Sequence, residues 1–246
     1  MLRSVLAVAV AVAVAVLGGC ARRGGDALPP GVALDDLPDS ESWDASLRTT
    51  RDGAPLVEVA APYLARYTRD TAYVYLGPVP GDTAGGGVSI QLYASGDAPG
   101  GAVRSREAWL WEDPVRVVAE GGVRADVDGA QVQAPRIEVD ADGAFRASGG
   151  ASVELAEARA SVRAQRVSGA GGRYEASGAV RVLTSGGRTL EAGRVIWDQA
   201  SGRFSAPGAF AFDGPGERVR GVGLSATSDL SRYSFRRATG QIEVRE

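Results

Sequence analysis

The chain has 246 residues, of which 44% are hydrophobic and 23% charged, a composition typical of a folded protein with one or two domains. Its formal net charge is −3, so electrostatic binding of nucleic acid is not supported. The sequence contains no His and no Lys. The commonest general base and metal ligand is therefore absent, and the single Cys excludes an intrachain disulfide.

The N-terminus predicts a secretory signal that ends in a lipid-modified cysteine. Arg3 supplies a positive charge, Leu6 to Leu17 form an apolar run, and Gly-Gly precedes Cys20. An uncleaved membrane anchor is the alternative, but this run is shorter than the roughly 20 residues needed to span a bilayer. We therefore predict a signal peptide at 1–19, resembling those of bacterial lipoproteins, and lipid attachment at Cys20.

A flexible tether is predicted to follow, because residues 20–42 are rich in Gly, Pro, Asp and Ala. Apolar residues then return, and the folded domain is predicted to cover 43–246. Leu56 to Val59 and Tyr73 to Tyr75 have the composition of strands. Tyr63 to Tyr67 fit helical and extended spacings equally well.

The C-terminal half of the chain is dominated by a repeat. The motif Gly-x-aromatic-x-Ala-x-Gly begins at Gly143, Gly172 and Gly202. Its aromatic residues, 29 and 30 residues apart, are Phe145, Tyr174 and Phe204. A fixed period of this length is typical of stacked supersecondary units, none of which buries its apolar face alone.

The stretch from Gly187 to Phe212 shows what each unit is predicted to form. Apolar residues alternate on both sides of a polar Gln-Ala-Ser turn, which predicts a hairpin with one apolar face. Leu190 and Ala192 share one parity, whereas Val195 and Trp197 share the other.

The sequence therefore predicts an all-β fold. Residues 153–166 favour a helix by propensity, but the repeat phase predicts extended structure there. We expect a long antiparallel meander of about 14–18 short strands that curls over its apolar face and closes or protects its edges.

Ten apolar residues on that face are candidates for lining a groove: Phe145, Tyr174, Val180, Val182, Leu190, Val195, Trp197, Phe204, Phe210 and Phe212. Apolar faces usually pack as core, and parity alone favours that interpretation. A one-sided sheet that curls, however, puts its apolar face inside a groove, which fits an elongated apolar ligand.

No catalytic or cofactor site is predicted. Gly221 to Ala226 match a loose dinucleotide-binding fingerprint, but the strand–turn–helix context is missing. Asp140, Asp142 and Asp198 are expected in turns, next to Gly or small polar residues. Without His or Lys, no nucleophile–base pair is available to Ser. A hydrolase that uses paired carboxylates is the remaining enzymatic alternative.

Several segments resemble the OstA-like repeats of lipopolysaccharide transport proteins. They are Leu190 to Asp198 followed by Gly202-Arg-Phe, Val219 to Leu224, Tyr233-Ser-Phe, and Thr239-Gly-Gln-Ile. Together with the early strand Gly53-Ala-Pro-Leu-Val-Glu-Val59, they make residues 43–246 resemble the LptC family, the periplasmic component of the lipopolysaccharide export ABC transporter.

The resemblance implies a folded-over β-jellyroll that accepts lipopolysaccharide from the inner-membrane transporter and passes it along an apolar interior to an LptA-like bridge protein. Partner jellyrolls would add strand to strand. Gly240, Ile242 and Val244 would form the edge that meets the bridge protein, and Leu56 to Val59 would face the membrane subunits of the transporter. No cofactor is implied.

The resemblance also implies a periplasmic, membrane-anchored protein, with the inner membrane favoured over the outer. The chain departs from many family members in using a lipid rather than a spanning helix, and Ala21 stands where an inner-membrane retention Asp would follow the Cys. The main alternative function is a structural or adhesive β-repeat surface lipoprotein without a lipid ligand.

Overall fold

The computed structural model describes residues 37–68, 71–82, 86–93, 99–127, 129–238 and 243–244, and Pro38–Glu246 form one compact unit. Its regular elements are sixteen strands in one sheet. They are β1 (Ser40–Arg51), β2 (Ala54–Tyr67), β3 (Tyr73–Gly77), β4 (Val88–Tyr93), β5 (Pro99–Ser105), β6 (Glu107–Glu112), β7 (Val115–Val127), β8 (Ala130–Asp140), β9 (Phe145–Leu155), β10 (Ala160–Ala170), β11 (Arg173–Thr184), β12 (Thr189–Asp198), β13 (Arg203–Gly214), β14 (Glu217–Thr227), β15 (Tyr233–Ala238) and β16 (Glu243–Val244). The predicted all-β fold is confirmed.

Every neighbouring pair in the sheet is antiparallel, and the order follows the sequence as a meander. Near the N-terminus, two strands are interrupted. β3 and β4 both pair with β2, and β5 and β6 both pair with β7. The stretch 153–166 forms the end of β9, a turn and the start of β10, so the helix that propensity favours there is absent.

A line of β-bulges crosses the middle of the long strands. Between β9 and β10, for example, Gly149 and Gly150 together stand opposite the single residue Gln165. Bulges bend a strand and increase its twist. The residues on this line, which we call the crease, are Gly121, Gly122, Pro135, Gly149, Gly150, Gln165, Gly178, Ala179, Gly193, Pro207, Gly208 and Gly223.

The sheet folds over along the crease into two leaves. Leaf A holds β3, β6 and the parts of β1, β2 and β7–β15 that lie on the Phe145 side of the crease. Leaf B holds β4, β5 and the other halves of the long strands. Hairpin turns of the two leaves face each other along the opposite side, which we call the mouth. The curled antiparallel meander expected from the sequence is thus a folded-over β-jellyroll, as the resemblance implied.

Each leaf carries a continuous apolar row on its inner face. In leaf A, directly paired residues run Val74, Leu110, Val117, Val139, Phe145, Gly169, Tyr174, Trp197, Phe204 and Ala226. In leaf B they run Leu47, Val59, Ile90, Val103, Ala125, Val132, Val153, Val162, Val182, Leu190, Phe212 and Val219. The two rows belong to one core.

The N-terminal edge differs from the expectation. Leu56 to Val59 belong to β2, which is paired on both sides, so they are not an edge strand. The edge is β1, which starts at Ser40 inside the range predicted as tether. Only Ala45 and Leu47 of β1 pack against the core, so its composition resembles that of a linker. The signal peptide and Cys20 lie outside the described residues.

Glycines at the crease are not equivalent, and their substitution tests the fold. Gly178 has φ of +81°, and an added Cβ would lie 2.7 Å from Gln165 Cβ. Gly193 has an ordinary φ and open space around it. We expect Gly178→Ala to lower the free energy of unfolding by about 1–3 kcal/mol, from backbone strain and the clash. Gly193→Ala should change it by less than about 1 kcal/mol. Urea denaturation measures both, and equal losses would contradict the bent-strand geometry.

Candidate functional site

All ten residues singled out on the apolar face lie inside the folded sheet, and none is more than 5% exposed. Leaf A contributes Phe145, Tyr174, Val195, Trp197 and Phe204. Leaf B contributes Val180, Val182, Leu190, Phe210 and Phe212. The sequence pattern therefore identified the inner face of both leaves.

The crease explains how both parities of β12 point inward. Leu190 lies in leaf B and Trp197 in leaf A, an odd number of residues apart. In a regular strand they would point to opposite faces. Gly193 stands alone opposite Gly178 and Ala179, and this bulge shifts the alternation by one residue.

Aromatic rings fill leaf A. The ring centroids of Trp197 and Phe204 are 4.6 Å apart, and those of Phe145 and Tyr174 are 6.2 Å apart. Gly169 lies between the latter two in the row, and a Cβ there would be 2.4 Å from the Phe145 ring. The glycine therefore makes room for the two rings to meet over the backbone.

The space between the leaves is closed along these rings. An apolar cavity of about 10 Å³ remains, lined by leaf B residues such as Val153 and Val162 and by leaf A residues such as Tyr174, Trp197 and Phe204. This is no more than a single water molecule requires. The inner face is packed as a core in this structure, rather than open as a trough.

At the N-terminal end, polar side chains tie the two leaves together across the mouth. Thr49 on β1 donates a hydrogen bond of 3.1 Å from Oγ1 to Glu112 Oε1. Arg66 is near the C-terminal end of β2, and its Nη1 atom lies 3.4 Å from Glu112 Oε2. Arg66 pairs with Val74 in the inner row, so its side chain is on the inner face. Both charged side chains are 36% exposed.

At the C-terminal end the tie is largely aromatic. The rings of Phe212 in leaf B and Tyr233 in leaf A have centroids 4.9 Å apart. The Tyr233 hydroxyl donates a hydrogen bond of 2.6 Å to Glu217 Oε2. Burial, and then this carboxylate, raise the pKa of Tyr233 to about 12, so the tie is intact at neutral pH. The buried Leu230 packs into the core from the neighbouring turn.

Of the acidic residues considered for chemistry, Asp142 lies in a turn as predicted, whereas Asp140 and Asp198 are the last residues of β8 and β12, each next to a turn. Asp142 Oδ1 accepts a hydrogen bond of 3.0 Å from the Ala144 amide, and Asp198 Oδ1 accepts one of 2.8 Å from the Ser201 amide. The Ser201 hydroxyl, and then that amide, lower the pKa of Asp198. Across the described residues, no three metal-binding side chains gather into a group. The Gly221–Ala226 motif lies inside β14, with no helix after it.

The predicted C-terminal edge is partly outside the described residues, because Gly240 and Ile242 are not among them. Val244 is in β16 and pairs with Glu217 of β14. β15 also pairs with β14, through Gly221 to Ala226. The outermost positions on this side of the sheet are therefore held by β15 and β16 together.

The sequence interpretation missed the polar tie at the mouth. Thr49 and Glu112 are 63 residues apart, and no local pattern joins them. The available signal was the position of Arg66, which shares the parity of Leu64 in an otherwise apolar segment. A cation at a core-facing position near a strand end indicates a partner from another element.

No protein-family model matches the chain, and no curated protein matches it. Within the part of the chain that the structure describes, no helix has the length and hydropathy required to cross a bilayer. The likeness to the LptC family consequently stays a prediction from the repeat motifs.

Inner-face packing is tested by Phe204→Ala. Phe204 is fully buried and contacts Trp197, so we expect the free energy of unfolding to fall by about 3–5 kcal/mol. The control is Ile196→Ala, on the outer face of the same leaf, which should lose about 1 kcal/mol. Denaturant titration measures both; a larger loss from Ile196→Ala would show that the assignment of faces is reversed.

The tie at the mouth is tested by Glu112→Gln. A half-exposed ion pair contributes about 0–1 kcal/mol, so global stability should change little. Local opening should increase, seen as faster amide hydrogen exchange in the Leu47–Arg51 part of β1. Glu191→Gln removes a surface pair with Arg181 (3.8 Å) and serves as the control. Equal exchange rates in the two variants would show that Glu112 does not hold the leaves together.

Proposed function

We propose that this protein is a periplasmic lipid carrier that accepts lipopolysaccharide from an inner-membrane ABC transporter and passes it to an LptA-like bridge protein. The observation that supports this proposal is the pair of facing apolar rows, which continue strand after strand from β2 to β14. A path of this length and composition suits the acyl chains of a multi-chain lipid.

Transport by this route requires the two leaves to separate. The inner rings would exchange contacts with each other for contacts with acyl chains, so the apolar surface stays out of water in both states. The mouth is the side that opens, because the crease is covalently continuous. The tie at the N-terminal end is polar and half exposed, whereas the C-terminal tie is formed by packed rings. We infer that lipid enters at the N-terminal end.

The proposed partners follow from the two ends of the sheet. β1 at one end and β15 with β16 at the other have one described strand neighbour each. Edge strands are templates for strand addition. In this proposal β1 meets the transporter, and the C-terminal strands, with Gly240, Ile242 and Val244, meet the bridge protein. The anchor would be lipid on Cys20, in the inner membrane.

A second function is favoured by the packed interior. A structural or adhesive lipoprotein needs only a solid β core, and the cavity of about 10 Å³ fits that role directly. The two functions make opposite predictions about whether a lipid ever contacts the inner face.

The distinguishing experiment places a photo-crosslinking amino acid at Trp197 or, as the control, at Ile196. These residues are adjacent in β12, and the first is 4% exposed on the inner face while the second is on the outer face. In cells that make lipopolysaccharide, we expect at least tenfold more lipopolysaccharide adduct from position 197. Capture only from position 196, or from neither, would overturn the carrier proposal.

A further inference from the structure

Seven Trp and Tyr residues lie on the outside of leaf A at its N-terminal end. In β3 and β6, Val74 and Leu110 are fully buried in the core, so the alternate residues of those strands face outward. We call this surface the outer aromatic patch. It consists of Trp43, Tyr63, Tyr67, Tyr73, Tyr75, Trp109 and Trp111.

The rings of the patch form two connected lines. One line crosses four strands from Trp43 to Tyr63, Tyr75 and Trp109, with successive centroid distances of 5.9, 6.3 and 5.6 Å. The second line joins Tyr67, Tyr73 and Trp111, at 4.8 and 6.1 Å. Cross-strand aromatic pairs of this kind stabilise the sheet.

Sheet stability does not account for the exposure of the patch. Trp43 is 57% exposed, and Tyr67, Tyr73, Tyr75, Trp109 and Trp111 are half-buried, whereas Tyr63 is only 6% exposed because its neighbours in the patch cover it. Three of the four Trp residues of the chain are in the patch, and the fourth is Trp197 in the core. Wide aromatic surfaces exposed to water indicate a site of contact.

The patch has polar tips as well as apolar rings. The hydroxyl of Tyr63 donates to the Glu41 carboxylate, and the hydroxyl of Tyr75 donates to Glu107 at 3.1 Å. The Arg116 guanidinium lies 4.8 Å from the centroid of the Trp111 ring. Rings with one apolar and one hydrated end are enriched at the boundary between lipid headgroups and acyl chains.

We propose that the outer aromatic patch rests in the headgroup region of a phospholipid bilayer. This inference depends on the predicted N-terminal anchor but not on lipopolysaccharide transport. Trp43 follows Cys20 by 23 residues. Even a fully extended chain of 23 residues reaches at most about 80 Å, so an anchor at Cys20 keeps this end of the sheet within reach of the membrane. β1, which carries Trp43, is the first strand in the part of the chain that the structure describes.

The test uses the lipidated protein that begins at Cys20, reconstituted into phosphatidylcholine vesicles whose acyl chains carry bromine, a quencher of Trp fluorescence. In a Trp197→Phe variant only the three patch Trp residues emit. In a Trp43→Phe, Trp109→Phe, Trp111→Phe triple variant, only Trp197 emits. We expect brominated vesicles to reduce emission of the first variant at least twofold, more strongly with bromine near the headgroups than near the chain ends. The second variant should be unaffected.

Matched surface substitutions complete the test. In the Trp197→Phe background, replacing Tyr67 and Tyr73 by Ser is expected to halve the quenching. Leu183→Ser, which removes another large exposed apolar residue on leaf B, should leave it unchanged. No quenching of the patch Trp residues would overturn the proposal. Equal effects of the two substitutions would also overturn it. So would emission showing that, before any vesicles are added, residues 20–36 or a second copy of the chain already cover the patch.

Discussion

The whole structure depends on the crease, which lets the long strands bend without turning their apolar side chains outward. A long strand that folds over at its middle must keep its apolar side chains on the inside of both halves. With regular alternation, this requires the inward-facing residues on both sides of the bend to be an even number of positions apart. In β12 the bulge at Gly193 both bends the strand and shifts the alternation, so that Leu190 and Trp197 face each other's leaf. In β9, Gly149 and Gly150, both with positive φ, stand opposite the single residue Gln165, and the one extra residue lets β9 bend while Ala147 and Ala151 both face inward.

Local pattern predicted much of this molecule, because antiparallel hairpins are built from sequence neighbours. The repeat motif located Phe145, Tyr174 and Phe204, and the change of parity between Ala192 and Val195 lies at the crease. The prediction was wrong about the N-terminal edge. β1 is an edge strand with few apolar residues, because few of its side chains pack against the core. A strand of that composition resembles a linker in sequence.

Contacts across the mouth were beyond the reach of sequence patterns, since they join opposite ends of bent strands. Thr49, Arg66 and Glu112 meet only because β2 folds over. The same holds for Phe212 and Tyr233. These contacts make the two ends of the interior chemically different, with ions at one and rings at the other. A lipid carrier and a protein with a solid core would share the rest of the architecture. They would differ in whether the contacts across the mouth break so that the leaves can separate.

The meander has a consequence for how the domain changes in length. Because strands pair with their neighbours in the chain, a hairpin gained or lost by duplication or deletion disturbs only the two pairings beside it. Each such unit of about 30 residues contributes two strands, and hence about 10 Å along the long axis of the sheet. The interior is therefore modular, and its extent is set by the number of repeats rather than by any closure condition of a barrel.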